Sequence, residues 1–336
     1  MKSYYLFNAG RLSRKDNTLC FVPTDEAGNE GLTKYIPVED VENLYIFGSL
    51  DVNSALLNFL GKHKVAVHFF DYYEHYSGSF MPRDGLLSGR VHITQARHYL
   101  NSPKRLGIAR QLVAGAAHNM LKNLRYYNNR QKDVEAQIGQ IEGLVATLDQ
   151  PQYASDVAVL MGLEGNVRRT YYEAFDVIIN DFEMGNRTKQ PPGNEINALV
   201  SYGNMMCYTL VLDQIYHTQL DPTISFLHEP GERRYSLALD LAEIFKPILV
   251  DRLIFTLLNK KQIQAKDFDK KLNSCLLKES GRRTFLKAWD ERLKETIKHR
   301  SLNKNVSYKY LVRLECYKLV KHLLKIDEYK PFKMWW

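Results

Sequence analysis

Cysteine is scarce in this chain. The four present, Cys20, Cys207, Cys275 and Cys316, lie far apart with no C-x-x-C pair, so the spacing makes neither a zinc knuckle nor a dithiol redox motif. Reduced, mostly buried thiols are expected. Long apolar runs are missing as well. Residues 66–70 and 248–258 are shorter than the ~20 residues of a membrane span, or are interrupted by charge. The expectation is a soluble protein with no membrane partner. The start, Met1-Lys2-Ser3-Tyr4-Tyr5-Leu6, lacks the apolar core and small-residue cleavage site of a signal peptide, so a cytoplasmic location is expected. Neither G-x-G-x-x-G nor G-x-x-x-x-G-K-[ST] occurs, which disfavours dinucleotide-binding and P-loop enzymes. G-x-S-x-G and H-E-x-x-H are absent too, and no internal repeat or long low-complexity linker is found.

What is there is an ordinary globular composition, 45% hydrophobic and 25% charged, which needs no staple to fold. At 336 residues the chain exceeds the usual range of roughly 100–200 residues per domain, and two domains are expected. The net charge of +8 is unevenly spread. Residues 1–88 carry 8 Lys and Arg against 11 Asp and Glu, whereas residues 260–336 carry 21 against 9. Such a localised basic surplus favours polyphosphate partners through counterion release, with nucleic acid the leading candidate. The plain alternative is a set of solvated helix faces whose acidic and basic residues pair at i,i+4.

The first 85 residues read as short strands near 4–8, 18–22, 35–38, 44–47 and 65–70, rich in Tyr, Val, Ile and Phe and separated by Gly, Asn, Asp and Pro. One exception, residues 53–62, puts Leu56, Leu57 and Leu60 on one helical face with Asp51 as the expected N-cap. From about Leu86 the period becomes 3.6, with helices expected near 89–100, 103–128, 133–148, 155–180, 195–219, 237–259, 280–299 and 306–325. Ser102-Pro103 reads as a cap and first-turn pair. Gln190-Pro191-Pro192-Gly193 breaks the chain before Asn194, the next expected N-cap. The fold class is therefore α+β: a small N-terminal β-rich domain, 1–85, and a larger all-α catalytic domain, 86–336, joined near residues 83–90.

Three segments place acidic residues or histidine where packing alone does not ask for them. Glu164 follows the apolar run Val157-Ala158-Val159-Leu160-Met161 and is flanked by Gly162 and Gly165. Each glycine costs roughly 1 kcal/mol against alanine in a helix. Its plain alternative is an exposed carboxylate paired with Arg168 at i,i+4. His228 ends the stretch Ile224-Ser225-Phe226-Leu227, just before Glu229-Pro230-Gly231, where a ring can be presented to a cleft or be hydrogen-bonded for structure alone. Asp240 and Glu243 are i,i+3 neighbours on an otherwise apolar helix, Ser236-Leu237-Ala238-Leu239-Asp240-Leu241-Ala242-Glu243-Ile244-Phe245. Two carboxylates at the edge of a buried face are costly unless a cation or proton compensates them. Two carboxylates and one imidazole, without thiolate, suit Mg²⁺ or Mn²⁺ and hence phosphodiester chemistry.

In these residues the chain resembles the integrase and nuclease subunit of CRISPR spacer acquisition. The resemblance spans essentially the whole chain. It is carried by Leu163-Glu164-Gly165-Asn166, by Phe226-Leu227-His228-Glu229-Pro230, and by Asp240-Leu241-Ala242-Glu243-Ile244-Phe245-Lys246-Pro247 followed by Val250-Asp251. Supporting pieces are Tyr4-Tyr5-Leu6-Phe7-Asn8-Ala9-Gly10, Val67-His68-Phe69-Phe70-Asp71 and Pro331-Phe332-Lys333-Met334-Trp335-Trp336. The resemblance implies that Glu164, His228 and Glu243 are the metal ligands, with glutamate at a third position often filled by aspartate. It places Asp240, Asn166, Asn204, Tyr208 and Lys246 near the metal or the DNA. The expected DNA-binding face includes Arg282, Arg283 and Lys287. The implied reaction is attack of the 3′-hydroxyl of a short DNA fragment on a phosphodiester at the edge of a CRISPR repeat. The implied partners are DNA, a second copy of the chain through the β domain, and a small ferredoxin-like adaptation protein. Two other readings stay open: a stand-alone structure-specific nuclease using water, and a non-catalytic nucleic-acid scaffold.

Overall fold

The computed structural model describes residues 2–335 apart from 26, 72, 74, 83–85, 149, 151–155, 232–234 and 273. The chain falls into two compact units, Met1–Gly85 and Leu86–Trp336. Parts of the expected linker (83–85), the expected start of the helix at 155, and Trp336 lie outside the described residues.

The first unit holds two four-stranded sheets. In one, β1 (Lys2–Leu6), β5 (Val41–Ile46) and β7 (Ala66–Phe70) run parallel and β8 (Tyr76–Phe80) closes antiparallel on β7. In the other the order is β4 (Lys34–Pro37), β3 (Thr18–Pro23), β2 (Gly10–Lys15) and β6 (Leu50–Asp51). Leu12, Leu19, Phe21, Ile36, Leu44 and Ile46 share one buried core with Leu56, Phe59 and Leu60 of helix α1 (Ser54–Lys62). Strands β2 and β8 escape the sequence reading because a buried strand needs only alternate apolar residues, and β2 supplies a single large one, Leu12. The N-cap of α1 is Asn53, whose Oδ1 accepts the Leu56 N–H at 2.9 Å. Asp51, expected in that role, ends β6 instead.

The second unit is mainly helical. Helices α2 (Gly89–Leu100) and α3 (Ser102–Asn128) are separated by Asn101, which caps α3 by accepting the Lys104 N–H at 3.1 Å. Ser102, expected as that cap, is inside the helix. Then come α4 (Glu135–Ala146), α5 (Val157–Glu173), the single turn α6 (Phe175–Ile178) and α7 (Glu195–Tyr216), the last capped by Asn194 as expected. The helix expected over 155–180 breaks near Ala174. The break lets Phe175 meet Tyr171, Tyr172 and Phe255 edge-on at centroid separations of 5.4, 5.2 and 4.6 Å.

The helix expected over 237–259 is also three pieces: α8 (Ser236–Lys246), a π-helical turn (Pro247–Asp251) and α9 (Arg252–Asn259). Pro247 has no N–H to return to the carbonyl one turn back, which favours a widened turn there. After it come the hairpin of β9 (Phe268–Lys271) and β10 (Ser274–Leu277), α10 (Glu279–Lys294), the hairpin of β11 (Thr296–Lys298) and β12 (Asn305–Ser307), and α11 (Tyr308–Leu323). The two hairpins are an addition to an otherwise helical unit. Cys207, Cys275 and Cys316 are buried and free, and Cys20 is half-buried and free. Among the described residues no helix is long and apolar enough to cross a membrane.

Candidate active site

Helices α3, α5, α7 and α8, the π-helical turn and the loop ahead of α8 position a cluster of buried charge. Asn119 and Asn123 on α3 hold the C-terminal end of α8 through its carbonyls. Asn119 Nδ2 donates to Ile244 O at 3.0 Å, and Asn123 Nδ2 donates to Pro247 O at 2.7 Å and to the Tyr171 hydroxyl at 2.9 Å. Helix α7 meets the π-helical turn at Gly203, where a Cβ would lie 2.4 Å from Val250 Cγ1. Only glycine admits that approach.

Asp240 organises the loop that carries His228. Completely buried on α8, it accepts the backbone N–H groups of Phe226 and Leu227 on Oδ2 at 2.6 and 2.9 Å, and that of His228 on Oδ1 at 2.9 Å. Its Oδ1 also faces His228 Nδ1 at 2.8 Å. A carboxylate already satisfied by three donors acts as acceptor to the ring, which puts the hydrogen on Nδ1 and leaves Nε2 as the acceptor of the neutral imidazole. Burial works to lower the His228 pKa, but the hydrogen bond and charge of Asp240, with Glu243, outweigh it and raise it. The loop is held further by Gln95, whose Nε2 donates to Asp221 O and Ile224 O at 2.9 and 2.7 Å. Arg105 assists through Phe226 O at 2.9 Å and Glu229 at 2.6 Å.

Glu164 and Glu243 meet on one cation of the chain itself. Arg168 Nε donates to Glu164 Oε1 at 3.1 Å, and its Nη2 bonds Glu243 Oε2. Lys246 Nζ reaches the other oxygen, Glu243 Oε1, at 2.6 Å. Burial would raise the Glu243 pKa; Arg168 and Lys246, with a smaller contribution from His228, instead hold it down at about 2. At the last residue of the π-helical turn, burial pushes the Asp251 carboxyl up to about 7 against the opposing pull of Arg168 and of a hydrogen bond with Tyr171. Helix α7 backs the cluster: burial raises the Cys207 thiol to about 12, and the charges of Lys246, Glu243, Asp251 and Arg168 are all felt there.

Among the described residues no three His, Cys, Asp or Glu side chains stand together as a ligand set; Glu164 and Glu243 are each bonded to Arg168 instead. The donors nevertheless suit a hard divalent cation. Two carboxylates converge on a positive charge and Asp240 orients an imidazole, and carboxylate oxygen with imidazole nitrogen is a donor set that suits Mg²⁺ or Mn²⁺. The anticipated pairing of Glu164 with Arg168 is therefore present together with the convergence on Glu243; it is half of a bridge.

The remaining predicted residues divide. Lys246 belongs to the cluster. Asp240 does too, as the support of His228 rather than as a carboxylate facing the same way as Glu243. Asn204 and Tyr208 lie one turn apart on α7; Asn204 Oδ1 is buried without a hydrogen-bond partner, and the Tyr208 hydroxyl accepts the Tyr235 N–H at 3.3 Å. Asn166 is exposed and accepts from Arg169 at 3.0 Å. Arg282, Arg283 and Lys287 lie on α10, where Arg283 pairs with Glu279 at 2.8 Å and Lys287 is exposed. The sequence reading missed the second bond of Arg168 and the role of Gln95 and Arg105. Helical spacing links only near neighbours, and each of these contacts joins residues at least 75 positions apart.

Comparison with known proteins gives one family. The family described as CRISPR associated protein Cas1 matches residues 4–291. A protein of Thermodesulfovibrio yellowstonii named CRISPR-associated endonuclease Cas1 3 is 47% identical over 337 aligned positions, covering 100% of both chains. The structure of a CAS1 protein from Thermotoga maritima superposes with a TM-score of 0.85 at 39% identity, covering 99% of this chain and 100% of that one. A casposase bound to integration product superposes with a TM-score of 0.86 at 22% identity, over 99% of this chain and 93% of that one, a likeness of fold alone. With a family match over most of its length and a full-length relative at nearly half identity, the chain belongs to the Cas1 family of CRISPR-associated proteins.

Proposed function

We propose that this chain is a metal-dependent DNA integrase and endonuclease that inserts short DNA fragments into a CRISPR array, with Glu164, His228 and Glu243 as its metal ligands. The observation that supports it most is the convergence of Glu164 and Glu243, from separate helices, on one partly buried cation, Arg168, on the domain that also holds the His228 ring against Asp240. Bound there, Mg²⁺ or Mn²⁺ would supply Lewis-acid stabilisation of the charge that builds on phosphoryl and leaving oxygens. The chain's own groups do the rest. Asp240 fixes the ring of His228, Lys246 keeps Glu243 ionised in a buried setting, and the basic residues of 260–336, Arg282, Arg283 and Lys287 among them, hold the phosphate backbone. In the reaction proposed, a fragment's 3′-hydroxyl oxygen bonds to a target phosphorus as the target strand's own 3′-oxygen leaves. The working assembly proposed is a homodimer joined through the first unit, acting on DNA in the cytoplasm with a small ferredoxin-like adaptation protein.

The test is strand transfer of a short duplex with free 3′-hydroxyls into a repeat-bearing plasmid, with the partner protein and Mn²⁺. Glu164→Ala and His228→Ala should abolish joining and nicking while sparing DNA affinity, because the ligands act on charge that develops in the transition state. Glu243→Asp should keep partial activity and Glu243→Gln little or none. Near-normal joining by either alanine variant would place the chemistry elsewhere. Nicking without joining by the wild type would leave a plain nuclease, and DNA binding without either would leave a scaffold.

A further inference from the structure

The aromatic stretch after α11 has no part in the chemistry described so far, yet it is packed as core. Over residues 329–334, Tyr329, Pro331, Phe332 and Met334 are buried while Lys330 and Lys333 are exposed. Side chains of α11 and α3 hold its backbone. Glu315 on α11, completely buried, accepts the Tyr329 hydroxyl at 2.7 Å and the Phe332 N–H at 3.2 Å on Oε1, and Lys318 Nζ at 2.7 Å on Oε2. A buried carboxylate is costly unless donors answer it, and two of these three come from the segment itself. On α3, His118 Nε2 meets Met334 O at 2.9 Å. Gly115 makes room for Pro331: a Cβ there would lie 2.7 Å from the proline's own Cβ and 3.8 Å from Ile244 Cγ1 of α8.

The same segment reaches the helix that carries Glu243. Asn119, completely buried on α3, divides its amide between the two. Its Nδ2 donates to Ile244 O at 3.0 Å and to Phe332 O at 3.1 Å, and its Oδ1 accepts the Met334 N–H at 2.8 Å. The Phe332 ring stacks on Phe245, with centroids 5.9 Å apart and planes 15° from parallel. Ile244 and Phe245 are the two residues that follow Glu243. From this geometry we propose that residues 329–334 are a strap that positions Glu243, acting through Asn119 and Phe245. The inference rests on the reading of Glu243 as a metal ligand and adds Asn119 and Phe332 to it as positioning residues. Where α8 gives way to the π-helical turn its hydrogen-bond repeat changes, so side chains must hold what the regular ladder no longer does. A ligating carboxylate has to be kept within about 0.5 Å of its place, and slack at Ile244 and Phe245 is passed directly to Glu243.

Mn²⁺ affinity of the full-length protein, read from the free-ion electron paramagnetic resonance signal well below each variant's thermal midpoint, tests this without any activity assay. Asn119→Ala and Phe332→Ala should each weaken binding about tenfold, as loss of a group supporting a metal ligand does. Because Asn119 also seats the backbone of Phe332, the double variant should stay near the single ones and not reach their product of about a hundredfold. Asn123→Ala, whose hydrogen bonds go to Tyr171 and Pro247, shares no such partner, and its cost should multiply with that of Phe332→Ala. Hydrogen exchange of the ion-free protein reads the same slack without metal: amides at the end of α8 should exchange faster in Asn119→Ala and Phe332→Ala than in wild type. Should Phe332→Ala fold poorly, Phe332→Leu keeps the apolar volume but not the flat ring, and should shift both readouts in the same direction. Glu243→Ala separates the ligand reading from the strap. If it leaves Mn²⁺ binding unchanged, the ligand assignment fails and the strap has no ligand to position. If it abolishes binding while Asn119→Ala and Phe332→Ala bind as wild type does, or their costs multiply, or α8 exchanges no faster in them, the ligand stands and the strap is overturned.

Discussion

Single residues here owe their chemistry to neighbours that are remote in sequence. Asp240 is the clearest case. As one of two carboxylates at i,i+3 it looked like half of a metal-binding pair, yet its oxygens are used up by Phe226, Leu227 and His228. Its charge orients the His228 ring instead. Asp251 shows the energetic side. Its carboxyl sits at about 7 in the fold, raised from 3.8 by burial. Below about 3.8 the folded and unfolded chains both hold the proton; between there and about 7 only the folded chain keeps it, so stability is lost as pH rises through that window. Asp251→Asn cannot ionise and escapes this loss. In the ion-free protein, urea unfolding at pH 4.5, 6 and 8 should show the variant gaining on wild type as pH rises, with the gain levelling off above about 7. A difference that stays constant across the three pH values would show that Asp251 does not carry this burial cost.

At the level of elements, what matters is where helices stop being regular. Apolar periodicity located α8 and α9 but ran them together, because a π-helical turn keeps its residues buried like those of the helices on either side. All five residues of that turn are buried, so their apolar pattern is that of a core helix. The turn is held by close contact with α7 at Gly203. Gly203→Ala would force a methyl against Val250 and should cost about 1–3 kcal/mol, the usual penalty of overpacking. Its thermal midpoint should fall accordingly, and Val250→Ala in the same chain should restore part of the loss by making room. Equal destabilisation of the single and double variants would show that this contact does not set the turn.

Across the whole molecule, the charge asymmetry is the feature with the most direct consequence. The 21 Lys and Arg against 9 Asp and Glu of residues 260–336 make DNA binding an exchange of protein cations for condensed counterions. Affinity should therefore fall with salt along a log–log slope of about −0.9 per neutralised phosphate of duplex DNA. Reversing Arg282, Arg283 and Lys287 to glutamate should flatten that slope by about two to three units if each holds a phosphate. Fluorescence anisotropy from low to moderate salt reads this directly. An unchanged slope in a folded triple variant would move the DNA face away from α10.

Much of this protein is legible from sequence because the relevant signals are local. Runs of β-branched and aromatic residues between turn residues mark β3, β5 and β7, and the 3.6-residue period marks the long helices. Asn194 announces α7, and the costly carboxylates among leucines announce that something must compensate Glu243. Family resemblance singled out Glu164 and His228, which composition alone leaves ambiguous. What only the tertiary structure decided is which charge answers which. The answering groups come from other elements: Arg168 from α5 to Glu243 on α8, Asp240 from α8 to the loop of His228, Asn123 from α3 to the carbonyl of Pro247. Helical and strand periodicities state which face of an element is buried. They carry no information about what stands opposite that face, and in a buried polar cluster the opposite partner fixes protonation state and role.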